Sequence, residues 1–444
     1  MLLRYIVSNF KSIGSPVEFT MLPSNQQIDI DAIKKLKVQN TEWHILRRGA
    51  LFGPNASGKT SLIKSIDFAK KYIVLGRKSG IGTGVDQFRG SISELKGIST
   101  FQFTFIIDKT IYEYGFAINT IQVCEEWLMM YEDQTAIPLF SRITSNEGKT
   151  EIEITSRFAK AGSKERELIE VLKESIQEKQ RNQLFLCKLS ENGISKAEKI
   201  VDWFKHVLII FPNTKIRALP VQVKRDESLR DYLGKMLNKM DTGVFNIKVE
   251  NKVIDFHEFA EEKNLPEEMI NEIEEIKNGF ININGKYFIF SEERGKKTLV
   301  QLKFEHHLND NKVNFDIDDE SDGTQRLLDL LPIIFSVGKN NAIYFIDEID
   351  RSLHTKLSHF VLNEFAVMSK TYDSNSQIIF TAHDVNLINL KNLRQDEIWF
   401  IEKNAKGESG LRPLSDFNIT EDQDVLKAYL NGRFGAIPMI GGED

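Results

Sequence analysis

The sequence predicts an α/β fold built on a parallel sheet, and three observations lead to that prediction. An apolar run at 50–52 enters a glycine-rich turn, and a helix follows from Lys59 to about Tyr72. A second apolar strand, at 342–346, ends in two carboxylates. From about residue 300 onward, predicted strands alternate with predicted helices, which is typical of a parallel sheet with helical crossovers.

Composition narrows the class of protein but does not indicate its chemistry. The chain has 444 residues, 41% of them hydrophobic, and a formal charge of −6, so a disordered chain and a small stapled scaffold are both excluded. Cys124 and Cys187 are too few for a disulfide framework and lack metal-ligand spacing. No apolar run reaches the roughly 18 residues of a membrane helix, and Arg4 interrupts the first apolar stretch. We therefore expect a cytoplasmic protein without a nucleic-acid coat along its whole length.

The chain divides into three predicted stretches. Residues 1–155 are rich in strands around one helix, and the alternating segments Phe101–Ile107 and Tyr112–Ile118 predict a hairpin. Residues 156–300 are predicted to form a mainly helical insertion, and residues 301–444 return to alternating strands and helices. The helices expected in the insertion are Lys164–Arg181, Ser195–Leu208, Asp226–Met240 and Glu258–Lys277, and Asn284-Gly285 predicts a hairpin turn.

The chemistry begins at the glycine-rich turn. Its sequence, Gly53-Pro54-Asn55-Ala56-Ser57-Gly58-Lys59-Thr60, matches the phosphate-loop pattern G-x-x-x-x-G-K-[ST] in full, between a strand and a helix as the pattern requires. Glycines let backbone N–H groups curl around a phosphate, and the helix N-terminus adds its positive end. We expect Lys59 to reach the β- and γ-phosphates of ATP and the Thr60 hydroxyl to ligate Mg²⁺. Ser61 completes the predicted nucleotide-binding set.

The acidic strand end is the second chemical feature. Asp347 and Glu348 follow the apolar run 342–346 directly. A buried parallel strand presents its last residues at the edge where nucleotides bind. There Asp347 suits the Mg²⁺ shell, and Glu348 suits the general base that deprotonates the attacking water. An acidic strand end is common by itself, and it is the phosphate loop upstream that favours this catalytic interpretation.

Most of the chain separates Lys59 from Asp347, so one nucleotide site is predicted to be split by a large insertion. This arrangement resembles the ATP-binding-cassette heads of the SMC and RecF type, which are P-loop NTPases. Ile6–Ile13 is similar to the first strand and turn of RecF-like heads and of heads of the overcoming-lysogenization-defect type. The resemblance covers the two terminal segments, and the insertion has no match.

Three further segments are similar to cassette motifs. Ser321-Asp322-Gly323-Thr324-Gln325-Arg326 resembles the signature, whose Ser321, Gly323 and Gln325 would then cap the nucleotide of a second protomer, although Asp322 replaces the usual first glycine. A simple helix N-cap is the alternative for this turn. Asp350–His354 resembles the D-loop of the dimer seam, or is an ordinary acidic helix start. His383 ends the strand after Glu348 and resembles the switch histidine that senses the γ-phosphate.

The C-terminal segment Tyr429–Pro438 resembles the tail of bacterial ATPases of phage-defence systems, the ATPase subunit of PARIS among them. Several of these ATPases work with a separately encoded TOPRIM-type nuclease. The resemblance implies a homo-oligomer built on head-to-head dimers, a TOPRIM-type effector as partner and a phage-encoded trigger. Only about sixty residues follow His383, so we expect any nuclease to be a separate chain. A RecF-like DNA repair ATPase that binds DNA directly is the alternative function.

Other charged segments are weaker candidates. The basic pairs of the chain could line a DNA groove, but they are scattered and lack interleaved aromatics, which favours solvated faces. Asp316–Glu320 is predicted to be a solvated acidic segment, and His306-His307 lacks a suitably spaced third metal ligand. The basic pairs are Lys34-Lys35, Arg47-Arg48, Lys70-Lys71 and Lys296-Lys297.

Overall fold

The chain folds into two compact units. The first comprises Met1–Pro212, Asn340–Asp350 and Asp373–Asp444, and the second comprises Asn213–Lys339 and Arg351–Tyr372. The computed structural model describes residues 1–24, 32–78, 80–90, 97–132, 135–145, 147–214, 219–267, 270–271, 278–283, 286–293, 296–309, 311–390, 392–419 and 424–437.

Strands and helices are numbered here in chain order. The strands are β1 Leu2–Ser8, β2 Val17–Thr20, β3 Ile33–Val38, β4 Thr41–Leu46, β5 Arg48–Phe52, β6 Ser99–Ile107, β7 Thr110–Ile118, β8 Val123–Glu132, β9 Thr135–Thr144, β10 Thr150–Ile154, β11 Val207–Ile210, β12 Val244–Val253, β13 Asn278–Ile283, β14 Lys286–Glu293, β15 Lys296–Leu308, β16 Asn311–Asp316, β17 Ile343–Ile346, β18 Gln377–Thr381, β19 Ile398–Lys403 and β20 Ser409–Pro413. The helices are α1 Lys59–Leu75, α2 Lys164–Lys179, α3 Phe185–Glu191, α4 Ser195–Lys205, α5 Leu219–Arg225, α6 Glu227–Lys239, α7 Phe256–Glu262, α8 Asp322–Ser336, α9 Thr355–Thr371 and α10 Val425–Leu430.

The first unit contains an antiparallel sheet of seven strands in the order β10-β9-β8-β7-β6-β1-β2. The predicted hairpin of Phe101–Ile107 and Tyr112–Ile118 is confirmed, since β6 and β7 pair along their whole length. Phe101, Phe103 and Phe105 alternate along β6, and all three are buried. Successive side chains of a strand point to opposite faces, so these rings share the core face of the sheet.

The predicted parallel sheet is the second sheet of this unit. Its six strands have the order β11-β17-β18-β5-β19-β20. The first five are parallel to one another, and only β20 pairs antiparallel, with β19. Strands β5, β17 and β18 are buried at every residue, as expected for a parallel sheet covered on both faces. The α/β fold class is confirmed, and the carboxyl ends of these three strands meet at one edge.

The bounds of the two units differ from the predicted division at residues 155 and 300. Residues 156–212 lie in the first unit because β11 pairs with β17 in the parallel sheet. Helices α3 and α4 also belong there, and Phe204 of α4 packs edge-to-face on Phe103 at 5.1 Å between ring centroids. The predicted helix Ser195–Leu208 is therefore too long, because Val207–Ile210 is an apolar β-branched run that takes a place in the sheet.

The second unit is less helical than predicted. Helix α6 lies within the predicted Asp226–Met240 helix, but four strands form a sheet in the order β12-β15-β14-β13, with β16 also paired to β15. The predicted Glu258–Lys277 helix is present as α7, which ends at Glu262, while residues 268–269 and 272–277 lie outside the described residues. Asn284-Gly285 also lies outside them, although β13 and β14 pair on either side as a hairpin would.

Three residues of the basic pairs are not on solvated faces, contrary to expectation. Arg48 and Glu397 form a buried ion pair at 2.9 Å in the first unit. Lys34 and Arg47 are also buried and both pair with Asp373. A buried charge needs a partner of opposite sign, which each of these side chains has.

The C-terminal segment packs within the first unit. Phe434 is buried and stacks on Phe400 of β19 at 5.6 Å, while Tyr429 donates a hydrogen bond to the Ala436 carbonyl. Pro438, at the end of the tail resemblance, lies outside the described residues. Across the ranges given above, no helix is both long enough and apolar enough to cross a membrane.

Candidate functional site

The phosphate-loop segment joins β5 to α1 at the edge where the parallel strands end. Gly58 stands at the N-cap position of α1 with φ of 120°, and no side chain caps the helix. A Cβ at this position would come within 2.7 Å of the Ser409 Cβ and 3.0 Å of the Ser12 Oγ, so only glycine fits. The backbone N–H groups in the first turn of α1 therefore have no capping side chain to accept their hydrogen bonds.

Lys59 is buried in the first turn of α1 and holds the loop in place. Its ammonium group donates hydrogen bonds to the carbonyl oxygens of Gly53, at 2.5 Å, and Pro54, at 3.0 Å. Burial lowers the pKa of Lys59, and the nearby carboxylates, first among them Asp347, act in the opposite direction. An anionic phosphate in the loop would stabilise this charge further.

A cavity of about 350 Å³ opens over the loop. Ser57 has a buried hydroxyl that makes no hydrogen bond among the described residues. A buried polar atom without a partner is destabilising, and a phosphate oxygen would satisfy it. The uncapped helix and this hydroxyl fit a nucleotide phosphate. The cavity is lined by Ser12, Pro54, Asn55, Ala56, Ser57, Gly58, Lys59, Thr60, Ser61, Glu348 and His383.

Ser12 and Ser409 border the loop and were not among the predicted site residues. The Ser409 hydroxyl lies 2.6 Å from the Ser57 carbonyl oxygen and 2.9 Å from the Ser12 Oγ, which in turn lies 2.9 Å from the Ser61 Oγ. The Ser409 N–H also donates to the Ser12 carbonyl at 2.8 Å. Strand β20 therefore supports the phosphate loop from a part of the chain that carries no recognisable motif.

Asp347 and Glu348 follow the end of β17, and both form a hydrogen bond with Thr381 at the end of β18. Asp347 is buried and accepts a hydrogen bond from the Thr381 hydroxyl at 2.7 Å. Glu348 has φ of 51°, a conformation that costs a residue with a side chain on the order of 1 kcal/mol. Its backbone N–H donates to the same Thr381 hydroxyl at 2.8 Å.

His383 lies two residues beyond the end of β18, and its side chain lies beside Glu348 in the wall of the cavity. The His383 Nε2 atom is 3.6 Å from a carboxylate oxygen of Glu348, and both side chains are partly exposed. The backbone N–H groups of His383 and Asp384 both donate to the carboxylate of Asp350. Residues 54–61 of the predicted phosphate-loop set, Glu348 and His383 thus line one cavity, and Gly53 and the buried Asp347 do not line it.

The signature segment lies in the second unit. The Ser321 hydroxyl accepts a hydrogen bond from the Thr324 N–H at 3.1 Å and caps α8, as the N-cap alternative predicted. The Gln325 side-chain amide donates to the Glu320 carbonyl at 3.0 Å. A Cβ on Gly323 would come within 2.9 Å of the Ser352 carbonyl oxygen, so this glycine is required for the close approach of the two backbones.

The residues for Mg²⁺ are few but suitable. Nowhere in the described ranges do three or more His, Cys, Asp or Glu side chains form a group that could hold a metal ion. Mg²⁺ bound with a nucleotide needs only one or two protein ligands besides phosphate oxygens and water. Thr60 and Asp347 are of the correct chemical type for that role.

The chain is similar to a known protein family and to solved structures. A family model described as "AAA domain, putative AbiEii toxin, Type IV TA system" matches residues 50–389. No curated protein matches the chain. The SMC head domain from Thermotoga maritima aligns at 11% identity with a TM-score of 0.37, covering 94% of this chain and 99% of that chain. An SmcHead bound to the C-winged helix domain of ScpA aligns at 14% identity with a TM-score of 0.40, covering 93% and 97%. Neither likeness defines the fold at such TM-scores, whereas the strand order does.

Proposed function

Since the chain belongs to the AAA-domain family whose model spans residues 50–389, we propose that it hydrolyses ATP in the cavity above its phosphate loop. One observation carries this proposal. Three strand ends that are distant in the sequence place Lys59, Glu348 and His383 around one cavity that also contains the unpaired Ser57 hydroxyl. A cationic, uncapped helix start facing a carboxylate and an imidazole is suited to binding a triphosphate and activating water.

Each residue has a distinct role in this proposal. The phosphate loop and Lys59 bind and neutralise the phosphates, and the buried position of Lys59 strengthens its attraction for them. Thr60 and Asp347 would hold Mg²⁺, which supplies further neutralisation of the phosphate oxygens. Glu348 orients the attacking water and takes its proton. His383, beside Glu348, is placed to contact the γ-phosphate.

The active assembly is proposed to be a pair of heads from two copies of the chain. In such a pair, the signature turn of one copy caps the nucleotide held by the other. The start of α8 supports this idea, because the N-terminus of a helix carries partial positive charge that attracts a phosphate. The Ser321 hydroxyl already caps α8 in the single chain, so its contact with a nucleotide requires sharing or exchange of that hydrogen bond.

The proposed biological role is control of a separate TOPRIM-type nuclease in phage defence, in response to a phage-encoded trigger. The family description supports a paired system because it names a toxin of a type IV toxin–antitoxin system. Co-purification of the chain with a co-encoded TOPRIM protein, in the absence of DNA affinity, is the expected result. Salt-dependent DNA binding by the isolated chain would instead favour a RecF-like repair ATPase.

The hydrolysis proposal is tested with two variants and a control. We expect Glu348→Gln to bind ATP with nearly unchanged affinity and to hydrolyse it at least about tenfold more slowly, because the general base is lost. Lys59→Ala is expected to lose ATP binding in a calorimetric titration. Glu125→Gln makes the same chemical change at an exposed position of β8 and should behave as wild type. Wild-type turnover in the Glu348→Gln protein would refute the assignment.

A further inference from the structure

Two short segments at the nucleotide edge of the first unit are joined by hydrogen bonds that the cassette resemblance does not describe. They are the segment after β17, 347–350, and the segment at the end of β18, 381–384. Thr381 makes three of these bonds. Its hydroxyl donates to Asp347 and accepts from the Glu348 N–H, and its carbonyl oxygen accepts from the Ile349 N–H at 3.0 Å.

Asp350, in the segment after β17, accepts hydrogen bonds from the segment at the end of β18. One oxygen of its carboxylate, Oδ2, accepts the backbone N–H groups of His383 at 2.8 Å and Asp384 at 2.6 Å. The other oxygen, Oδ1, is buried and has no hydrogen-bond partner among the described residues. Two charge-assisted hydrogen bonds to one oxygen fix the backbone on which the His383 side chain is mounted.

These hydrogen bonds hold the backbone of Glu348 and of His383, whose side chains lie side by side in the cavity wall. The Thr381 hydroxyl holds the Glu348 N–H while Glu348 has its strained φ of 51°, and a strained conformation persists only where its surroundings hold it. Asp350 holds the backbone of His383. The backbone of Glu348 is therefore bonded to segment 381–384, and the backbone of His383 is bonded to segment 347–350. Their side chains lie 3.6 Å apart.

We propose that Asp350 and Thr381 are positioning residues that set the distance between Glu348 and His383 for hydrolysis. The proposal rests on the proposed ATPase function of this site. It gives Asp350 a role within its own chain, whereas the resemblance of residues 350–354 to a D-loop implies a role at the seam between two copies. Positioning requires a hydrogen-bond acceptor at residue 350 and a hydroxyl at residue 381.

The first test separates the acceptor from the charge. Asp350→Ala should lower kcat at least about tenfold while the KM for ATP stays within about threefold, because misplacement affects the transition state more than binding. Asp350→Asn keeps an acceptor oxygen of the same size and should restore most of the lost kcat. Thr381→Val should reproduce the loss and Thr381→Ser should restore it. If Asp350→Asn is as slow as Asp350→Ala, the charge is what matters and positioning is refuted.

A matched control uses Asp255, whose carboxylate accepts two consecutive backbone N–H groups in the same way at the start of α7. Asp255→Ala should leave kcat within about twofold of wild type. If Asp255→Ala lowers kcat as much as Asp350→Ala does, loss of a local turn explains both results and the proposal fails.

Hydrogen exchange distinguishes failure of this proposal from failure of the ATPase function. In the apo protein, Asp350→Ala should increase exchange of the His383 and Asp384 amides at least about tenfold, and Asp350→Asn should not. Unchanged exchange in Asp350→Ala refutes positioning, whatever the turnover. Absence of ATP hydrolysis by the wild type, together with the expected exchange pattern, refutes the ATPase function and leaves the tethering of the two segments established.

Discussion

Two turns of this chain each open a helix, and they differ in how their polar groups are satisfied. The phosphate loop enters α1 through Gly58 with no side-chain cap, and its buried Ser57 hydroxyl makes no hydrogen bond to any residue that the structure describes. The signature turn enters α8 through Ser321, whose hydroxyl caps the helix, and the Gln325 amide donates to a backbone carbonyl. Among the described residues, the Ser57 hydroxyl of the first turn has no hydrogen-bond partner, whereas Ser321 and Gln325 of the second turn both form hydrogen bonds within the chain.

This difference indicates which of the two turns gains more stability from a ligand when the chain is alone. An uncapped helix start with a buried, unpaired hydroxyl is less stable by itself and gains most when an anion supplies the missing partners. A capped start is stable without a ligand, so a nucleotide contact there would have to share or displace the hydrogen bond of the Ser321 cap. Substitutions in the two turns should therefore affect different measurements.

The largest effect is expected at Gly58. Gly58→Ala introduces a Cβ against Ser409 at a φ of 120°, which the loop can accommodate only by moving away from its phosphate-binding conformation. We expect the Kd for ATP to rise about a hundredfold, equivalent to about 2.7 kcal/mol, in a calorimetric titration. Gly410→Ala is the control, because its Cβ would meet no atom closer than 3.9 Å. Near-normal binding by Gly58→Ala would show that the uncapped loop is not the phosphate site.

The residues of the site differ in how far the sequence could predict them. The phosphate loop, Asp347, Glu348 and His383 follow apolar strands, and their convergence requires only that the strands be parallel neighbours. Thr381 can reach Asp347 and Glu348 because β18 lies next to β17 in the sheet. This strand order depends on contacts between distant parts of the chain, so the local sequence does not indicate it. Ser409 follows a polar turn with no pattern that indicates a phosphate loop.

The fold, like the site, could be predicted from the sequence only in part. The parallel sheet was predictable because its central strands are mostly apolar. The second unit was expected to be mainly helical, although β12, VFNIKVENKV, alternates apolar and polar residues over 245–250 as a strand does. Arg47 and Arg48 were expected on a solvated face, since nothing nearby in the sequence indicates their acidic partners Asp373 and Glu397. Local periodicity predicts elements, but the pairing of distant charges and strands depends on tertiary structure.

A smaller effect is expected at Ser57. Ser57→Ala removes a hydroxyl that has no hydrogen-bond partner in the described part of the chain, so the free energy of unfolding should stay the same or rise slightly. ATP should bind about fivefold more weakly, because one hydrogen bond of about 1 kcal/mol is lost in the complex. Ser369 has a similarly buried, unpaired hydroxyl in α9, and Ser369→Ala should leave ATP affinity unchanged. Equal loss of affinity in both variants would contradict the assignment of Ser57 to the nucleotide.

The smallest effect on the single chain, and the one that bears on assembly, is expected at Ser321. Ser321→Ala removes the N-cap of α8 and should lower the free energy of unfolding by about 1 kcal/mol, as should Ser163→Ala at the N-cap of α2. Neither variant should change ATP affinity at protein concentrations where the chain is monomeric. If the signature caps the nucleotide of a second copy, only Ser321→Ala should slow turnover at concentrations where heads pair, because only there does its hydroxyl meet a phosphate. Equal turnover by the two variants across that concentration range would mean that Ser321 acts only as a helix cap. The phosphate loop would then bind the nucleotide, and the signature turn would contribute only to the stability of α8.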